Sequence, residues 1–237
     1  MFSLLLGDST LAPLLLLPLL LRLRSAIRAS VTAFSLDNLG KRYGATWALR
    51  GVRFDLAAGE VLLLTGHNGS GKTTLLRVLC TALTPSTGRG TVFGLDLRSD
   101  RDAIRRATAL VSHASYLYED LTARENLELV ARATGKEGVA ACLDRVGLAA
   151  RSDERVRGFS AGMRKRLSLA RALLKAPRLM LLDEPFGELD PQGMALVETL
   201  IGELKARGTT LVLSTHWVEQ GERLSTQRLH LERGAVQ

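Results

Sequence analysis

The feature that most constrains this chain is a glycine-rich stretch between an apolar run, Val61–Leu64, and a leucine-spaced segment, Leu75–Leu83. A strand, a glycine-rich turn and a helix in that order form the usual context of a phosphate-binding loop. Glycines let the backbone amides curl around a polyphosphate, and the helix start adds the positive end of its dipole. The stretch therefore predicts a nucleoside triphosphate site rather than a turn without a ligand. Its residues are Gly66, His67, Asn68, Gly69, Ser70, Gly71, Lys72, Thr73 and Thr74.

Two further apolar runs end in polar residues that suit phosphate chemistry. Residues 178–184 predict a buried parallel strand that ends in Asp183 and Glu184. Residues 209–216 predict a second buried strand, which ends in His216. Because an amphipathic helix is predicted between these strands, their ends should lie on the same edge of a sheet as the glycine-rich loop.

These residues could together catalyse the transfer of a phosphoryl group to water. That reaction needs a bound Mg²⁺ and an oriented nucleophile. We expect Lys72 to contact the terminal phosphates, and Thr73 and Asp183 to hold Mg²⁺. Glu184 would act as the general base or position the attacking water, and His216 would contact the γ-phosphate. The alternatives are a solvent-facing carboxylate pair and a structural histidine. The upstream loop favours the catalytic interpretation of the carboxylates.

A second predicted anion site lies further along the chain. Ser160 is placed to cap the N-terminus of a helix over residues 163–174, and a capped helix start can bind an anion. A capped helix without any ligand is the alternative. Two phosphate-binding helix starts are explained together if a nucleotide lies between two subunits, each of which contributes one of them.

The remaining pattern predicts an α/β fold with two additions to its core. Alternating apolar residues over 34–39 and 52–56 predict a small antiparallel β layer. Residues from about 115 to 165 are predicted to form an inserted helical subdomain. Thr122 and Glu125 have the spacing of a capping box at the start of its first helix.

Residues 1–33 differ in composition from the rest of the chain. Leu11–Leu21 is an unbroken apolar run, but it contains two prolines and is about half the length of a bilayer span. An acidic residue before it and arginines after it give a charge polarity opposite to that of a secretory signal. We expect an extension of little folding value or a wrongly assigned start, with the ordered domain over 34–237. A weak membrane-surface anchor is the alternative.

Composition argues against several other classes of protein. The net charge is +8 over 237 residues, but the basic residues are spread out except at Arg164–Arg166. We therefore expect a diffuse basic surface and no nucleic-acid partner. The two cysteines and four histidines show no disulfide or metal-ligand spacing, which argues against a disulfide framework and a zinc site.

From Phe34 to the C-terminus, these motifs and their order resemble those of the ATP-binding cassette (ABC) ATPases. Gly66–Thr73 is similar to the Walker A motif of that family and Leu179–Glu184 to its Walker B motif. Phe159–Met163 is similar to the signature sequence, Gly187–Asp190 to the D-loop and His216 to the switch histidine. The resemblance implies a P-loop NTPase fold and an ATPase that uses ATP and Mg²⁺. It also implies that Ser160 and Gly162 contact ATP bound to a partner copy, and that Tyr43 stacks on adenine.

The sequence departs from the family pattern at several positions. His113 occupies the place of the Q-loop glutamine, where an imidazole could still coordinate or bridge to Mg²⁺. The signature sequence differs at three positions but retains Ser160 and Gly162. None of the departures removes the predicted catalytic carboxylate, Glu184, so we expect an active ATPase.

The resemblance also implies partners and a location. We expect a second copy of the chain in a head-to-tail dimer, and an integral membrane permease that places the chain at the cytoplasmic face of the membrane. The loop around His113 and the shortness of the chain look most like the ATPase subunit of the haem exporter of cytochrome c maturation. The alternatives are the ATPase of a multidrug or polysaccharide exporter and, less favoured, a soluble cassette ATPase that acts on nucleic acid.

Overall fold

The computed structural model describes residues 31–237, and the account below refers to this part of the chain. Its strands are β1 (Thr32–Tyr43), β2 (Thr46–Ala57), β3 (Val61–Thr65), β4 (Thr87–Val92), β5 (Leu95–Asp96), β6 (Thr108–Val111), β7 (Leu179–Asp183), β8 (Thr210–Ser214), β9 (Gln227–Glu232) and β10 (Ala235–Val236). Its α-helices are α1 (Lys72–Leu79), α2 (Arg101–Ala107), α3 (Ala123–Thr134), α4 (Val139–Arg145), α5 (Ala161–Leu174), α6 (Pro191–Ala206) and α7 (Val218–Leu224).

A six-stranded sheet forms the centre of the fold, in the order β10-β9-β3-β8-β7-β6. All neighbouring pairs are parallel except β9 and β10. In a parallel sheet the carboxyl ends of the strands meet at one edge, where ligands of α/β proteins bind. The glycine-rich loop and the predicted site residues of β6, β7 and β8 therefore emerge from the same edge.

The central strands are buried on both faces, which explains their continuous apolar sequences. In β3 every residue is buried, and successive side chains point to opposite faces. Val61 and Leu63 belong to the core that covers the helical subdomain, whereas Leu62 and Leu64 belong to the core beneath the antiparallel layer. A single strand thus joins the two hydrophobic cores of the protein.

The antiparallel layer is a four-stranded sheet in the order β2-β1-β4-β5. Its first two strands are 12 residues each and form one long hairpin, so they extend well beyond the predicted segments. Strand β1 begins at Thr32, which pairs with Ala57, and Ala33 is fully buried. The folded domain therefore starts before residue 34, where we had placed its boundary.

The helical part contains α3, α4, two short 3₁₀ turns at Ala149–Arg151 and Val156–Gly158, and the start of α5. The predicted capping box is present: Thr122 Oγ1 accepts from Glu125 N at 3.1 Å, and Glu125 Oε2 accepts from Thr122 N at 2.7 Å. That second bond lowers the pKa of Glu125. The side chains of Thr122 and Glu125 therefore each accept from a backbone N–H group that the helix itself leaves unpaired.

Replacement of the capping residue should weaken the helical subdomain. We expect Thr122→Ala to lower the free energy of unfolding by about 1 kcal/mol, because the amide of Glu125 loses its acceptor. Thr134→Ala is a matched control on the same helix, where Thr134 Oγ1 only donates to Val130 O at an exposed position. Urea unfolding of both variants measures the difference. Equal midpoints would show that the cap does not stabilise the subdomain.

Within residues 31–237, no helix is long and apolar enough to cross a bilayer. The predictions about the N-terminal extension concern residues 1–33, and all but the last three of these lie outside the described part of the chain.

Candidate nucleotide site

The glycine-rich loop runs from the end of β3 into α1, as predicted. Lys72, the first residue of α1, turns back over the loop, and its Nζ donates to Gly66 O at 2.6 Å and to His67 O at 3.1 Å. The ammonium group is thus held at the mouth of the loop, where an anionic ligand would meet it. Gly71, the N-cap residue, has a φ of 109°, and a Cβ there would lie 2.5 Å from Ala48 O. A glycine is therefore required at this position.

The other residues of the loop differ in their accessibility. A Cβ at Gly66 would lie 2.2 Å from Leu231 O, so the backbone packs closely against β9. Ser70 is fully buried beneath the loop, and its backbone oxygen accepts from Gly234 N at 3.0 Å. His67 is exposed, and its Nδ1 lies 2.7 Å from Asn68 O. The turn between β9 and β10 thus supports the loop from below, while its upper rim faces solvent.

Asp183 and Thr73, which are 110 residues apart, meet at the start of α1. Thr73 Oγ1 donates to Asp183 Oδ2 at 2.8 Å, and Asp183 is only 5% exposed. Hydroxyl and carboxylate oxygens are ligands that Mg²⁺ accepts, and Mg²⁺ commonly uses one or two protein oxygens together with phosphates and water. The pair therefore fits Mg²⁺. Within residues 31–237, no group of three or more His, Cys, Asp or Glu residues could hold a metal without such added ligands.

Glu184 and His216 contact each other directly at the same edge of the sheet. His216 Nδ1 lies 2.8 Å from Glu184 Oε2, and the backbone amide of His216 donates to the same oxygen at 3.2 Å. A carboxylate only accepts, so the hydrogen of this bond lies on Nδ1. Glu184 has a φ of 51°, an uncommon value for a residue with a side chain and one found more often at active sites. The sequence predicted both residues at this edge but not their pairing.

A cleft of about 250 Å³ joins these groups. Its lining consists of Ala48, Asn68, Gly69, Gly71, Lys72, Thr73, Thr74, His113, Asp183 and Glu184. The sequence did not predict Ala48, because an isolated alanine on a strand carries no signal of a ligand. His113 follows the carboxyl end of β6 and lies at the cleft, as the Q-loop position requires. Its contact with Mg²⁺ stays a prediction.

Ser160 and Gly162 lie outside the residues that line this cleft. Ser160 caps α5, and its Oγ accepts from Met163 N at 3.2 Å, as predicted. A Cβ at Gly162 would lie 3.0 Å from Glu188 O, so the helix start packs against the turn after β7. The capped helix start is exposed at Ser160. Its contact with nucleotide bound to a partner copy stays a prediction.

Tyr43 lies at the turn between β1 and β2 and is 47% exposed. Lys41 Nζ lies 5.4 Å from the centre of its ring, a cation–π distance. Tyr43 is not among the residues that line the cleft, whereas Ala48 of the same hairpin is. Stacking of Tyr43 on adenine stays a prediction.

A sequence profile described as "ABC transporter" matches residues 49–187, which include the glycine-rich loop, the capped start of α5 and both strand-end carboxylates. The chain belongs to the ABC transporter family. Its described part is the ATP-binding ABC ATPase domain, with the mixed α/β sheet, antiparallel layer and helical part set out above.

Two curated relatives extend this match. The daunorubicin resistance ATP-binding protein DrrA3 of Streptomyces coeruleorubidus is 39% identical over 215 residues, which are 86% of this chain and 67% of the relative. The Nod factor export ATP-binding protein I of Rhizobium sp. (strain N33) is 36% identical over 86% of this chain and 69% of the relative. The chain thus spans about two thirds of the length of these relatives.

Solved ABC structures share the fold. One, described as the ATP-binding subunit of an ABC transporter, has a TM-score of 0.80 and 31% identity over 86% of this chain and 88% of the other. Another is a dimeric ATP-binding cassette in a post-hydrolysis state with ADP and phosphate. It has a TM-score of 0.80 and 26% identity over 86% of this chain and 96% of the other.

Proposed function

We propose that this ABC ATPase hydrolyses ATP with the cleft residues described above and so drives an exporter in the membrane. The observation that carries this proposal is that one cleft is lined by Lys72 on the glycine-rich loop, by the pair Thr73–Asp183 and by Glu184. His216 contacts Glu184 from beside the cleft. Lys72 neutralises charge on the terminal phosphates. Glu184 receives the proton of the attacking water, and His216 orients the Glu184 carboxylate through its bond to Oε2.

Magnesium would be held at the same place by Thr73 and Asp183. The metal would supply charge neutralisation between neighbouring phosphates. Asp183 suits this role because it is buried and ends a rigid central strand, whereas Thr73 lies in the first turn of α1. The side chains that hold the metal are therefore fixed by elements of the core rather than by mobile loops.

Two copies of the chain would complete the site. The capped start of α5 offers the exposed Ser160, with Gly162 beside it, and neither residue lines the cleft of its own copy. In a head-to-tail dimer each copy would place this helix start against ATP held by Lys72 of the other copy, where its dipole favours the phosphates. The dimeric state of a solved relative supports this arrangement.

An apolar groove supports the proposed membrane partner. The groove has a volume of about 420 Å³, and its lining comes from β6, from α3 and its preceding loop, and from α5: Ala109, Leu110, Tyr118, Leu129, Val130, Ala133, Thr134, Arg171, Ala172 and Lys175. Exposed apolar side chains that border a groove often mark a protein interface. Tyr116, Tyr118 and Leu129 are 66%, 64% and 42% exposed, respectively. We propose that a permease docks here and holds the chain at the cytoplasmic face of the membrane.

A charge in this groove should separate the chain from its membrane. We expect Leu129→Glu to move most of the protein from the membrane pellet to the supernatant of broken source cells, because docking would bury the carboxylate. Purified Leu129→Glu should still hydrolyse ATP, since the groove lies apart from the cleft. Ala140→Glu adds the same charge at an exposed position of α4 and serves as the control. Retention of Leu129→Glu in the pellet would contradict docking at this groove.

Export is the direction that the curated relatives favour. Their names refer to daunorubicin resistance and Nod factor export, and the first fits our alternative of a multidrug exporter. Haem export, which the loop around His113 had suggested, finds no support among them. We therefore propose that the chain powers a multidrug exporter, or a polysaccharide exporter, ahead of a haem exporter.

A further inference from the structure

A second cavity, of about 140 Å³, lies beside the nucleotide cleft at the junction of three elements. Ser112, His113 and Ser115 come from the end of β6 and the loop after it, Ala161, Arg164, Lys165 and Ser168 from α5, and Glu188 from the turn before α6. His113 also lines the nucleotide cleft, so the two spaces adjoin at this residue. Any charge in this cavity is therefore close to the site of hydrolysis.

Lys165 is the unusual residue of this cavity. It is only 4% exposed, and its Nζ makes no hydrogen bond within residues 31–237. An ammonium group without hydrogen bonds in a protein interior is costly, and an apolar side chain of similar length would fit the fold better. The presence of a lysine at this buried helix position therefore calls for a reason other than stability.

The carboxylates around Lys165 indicate why a charged residue is found at this position. Burial lowers the pKa of Lys165, and the carboxylates of Glu188, Asp183 and Glu184 raise it again in part, in that order of strength. Its cationic neighbour Arg164 is engaged with Phe159 O. Lys165 and Glu188 thus line the same cavity, Lys165 as a buried side chain of α5 and Glu188 as an exposed side chain of the turn after β7.

Glu188 belongs to a turn that connects two functional elements. The turn starts at Glu184, whose backbone oxygen accepts from Gly187 N at 3.3 Å, and it ends at Asp190, which caps α6. Glu188 has a φ of 67°, and its backbone oxygen lies against Gly162 of α5. A force on the side chain of Glu188 therefore acts on the segment that carries Glu184 and on the contact with α5.

We propose that Lys165 is a positioning residue for ATP hydrolysis, which attracts Glu188 across the cavity and so holds the turn from Glu184 to Asp190 in its working orientation. The inference rests on the proposed hydrolysis of ATP at the neighbouring cleft. Lys165 itself would touch neither the nucleotide nor the attacking water. It would act through Glu188 on the orientation of the general base.

Lys165→Met tests the role because it keeps the length of the side chain and removes the charge. We expect kcat for ATP hydrolysis to fall about 10-fold while KM changes less than about 2-fold, and Tm to stay equal to or above that of the wild type. Glu188→Gln should lower kcat to a similar extent. The double variant should be no slower than either single variant, because the two residues act as one unit.

The controls separate this inference from the proposed function. Lys136→Met changes an exposed lysine between α3 and α4, and its kcat and KM should match those of the wild type.

A wild-type rate in Lys165→Met, or effects that multiply in the double variant, would overturn the inference alone. A fall in kcat that accompanies a lower Tm would show a structural role and overturn it too. If Lys165→Met does not fold, a wild-type kcat for Glu188→Gln decides against it. A wild-type protein without turnover would remove the proposed function and the inference together.

Discussion

Glu184→Gln is expected to reduce the rate of ATP hydrolysis by about 10²- to 10⁴-fold, the usual contribution of a general base. The amide keeps the shape of the side chain and can still meet His216, so the unusual backbone conformation of residue 184 should persist. It cannot take a proton from water. Binding of ATP should change little, because the loop, Lys72 and the pair Thr73–Asp183 are intact. Phosphate release measures turnover, and equilibrium titration measures binding.

Glu137→Gln is the matched control for this variant. Glu137 is exposed between α3 and α4, far along the chain from the strand ends, and the same change of charge there should leave turnover unaltered. Turnover of Glu184→Gln within a factor of two of the wild type would contradict the assignment of Glu184 as the base. A loss of ATP binding equal to the loss of turnover would instead give residue 184 a role in binding.

Lys72→Ala is expected to act on binding itself. The variant loses the ammonium group that lies at the mouth of the loop, bonded to Gly66 O and His67 O. Loss of one partner from a desolvated charge pair costs about 2 to 4 kcal/mol, which corresponds to about 30- to 1000-fold weaker binding of ATP. Titration with ATP under conditions without hydrolysis measures the change.

Lys136→Ala removes an exposed lysine and should bind ATP with wild-type affinity. Lys72 also supports the loop through its two bonds, so Tm should be measured for both variants. An unchanged Kd for ATP in a folded Lys72→Ala protein would contradict the placement of the phosphates at this loop. A weaker Kd together with unfolding would require the smaller change Lys72→Arg to decide the point.

The central sheet and its active edge could be predicted from sequence because burial leaves a strong pattern there. Residues 179–183 and 210–214 are apolar almost throughout, as expected for strands covered on both faces, and each is followed by polar site residues. The capping box of Thr122 and Glu125 was also predictable, since it depends only on residues three apart. In these places local sequence determines local structure.

Other features of the structure leave too weak a pattern in the sequence to be predicted from it. Helix α2 has seven residues, of which only Ile104 is buried, so it shows no clear helical periodicity. Glu184 pairs with His216 from a left-handed backbone conformation directly after β7. A glutamate at that position does not predict such a conformation. Lys165 could have been noticed as a lysine on the buried face of α5, between Ala161 and Leu169 at helical spacing, but its cavity depends on three distant segments.

The measurement that tests the two-copy site most directly is the mass of Glu184→Gln in solution with Mg²⁺ and ATP, taken by light scattering together with a count of bound nucleotide. If two copies enclose ATP between Lys72 of one and Ser160 of the other, the mass should double on addition of ATP, with two nucleotides per pair of chains. Ser160→Arg, added to the same variant, should restore the mass of one chain while ATP stays bound. A protein that binds ATP fully and keeps the mass of a single chain would contradict the shared site.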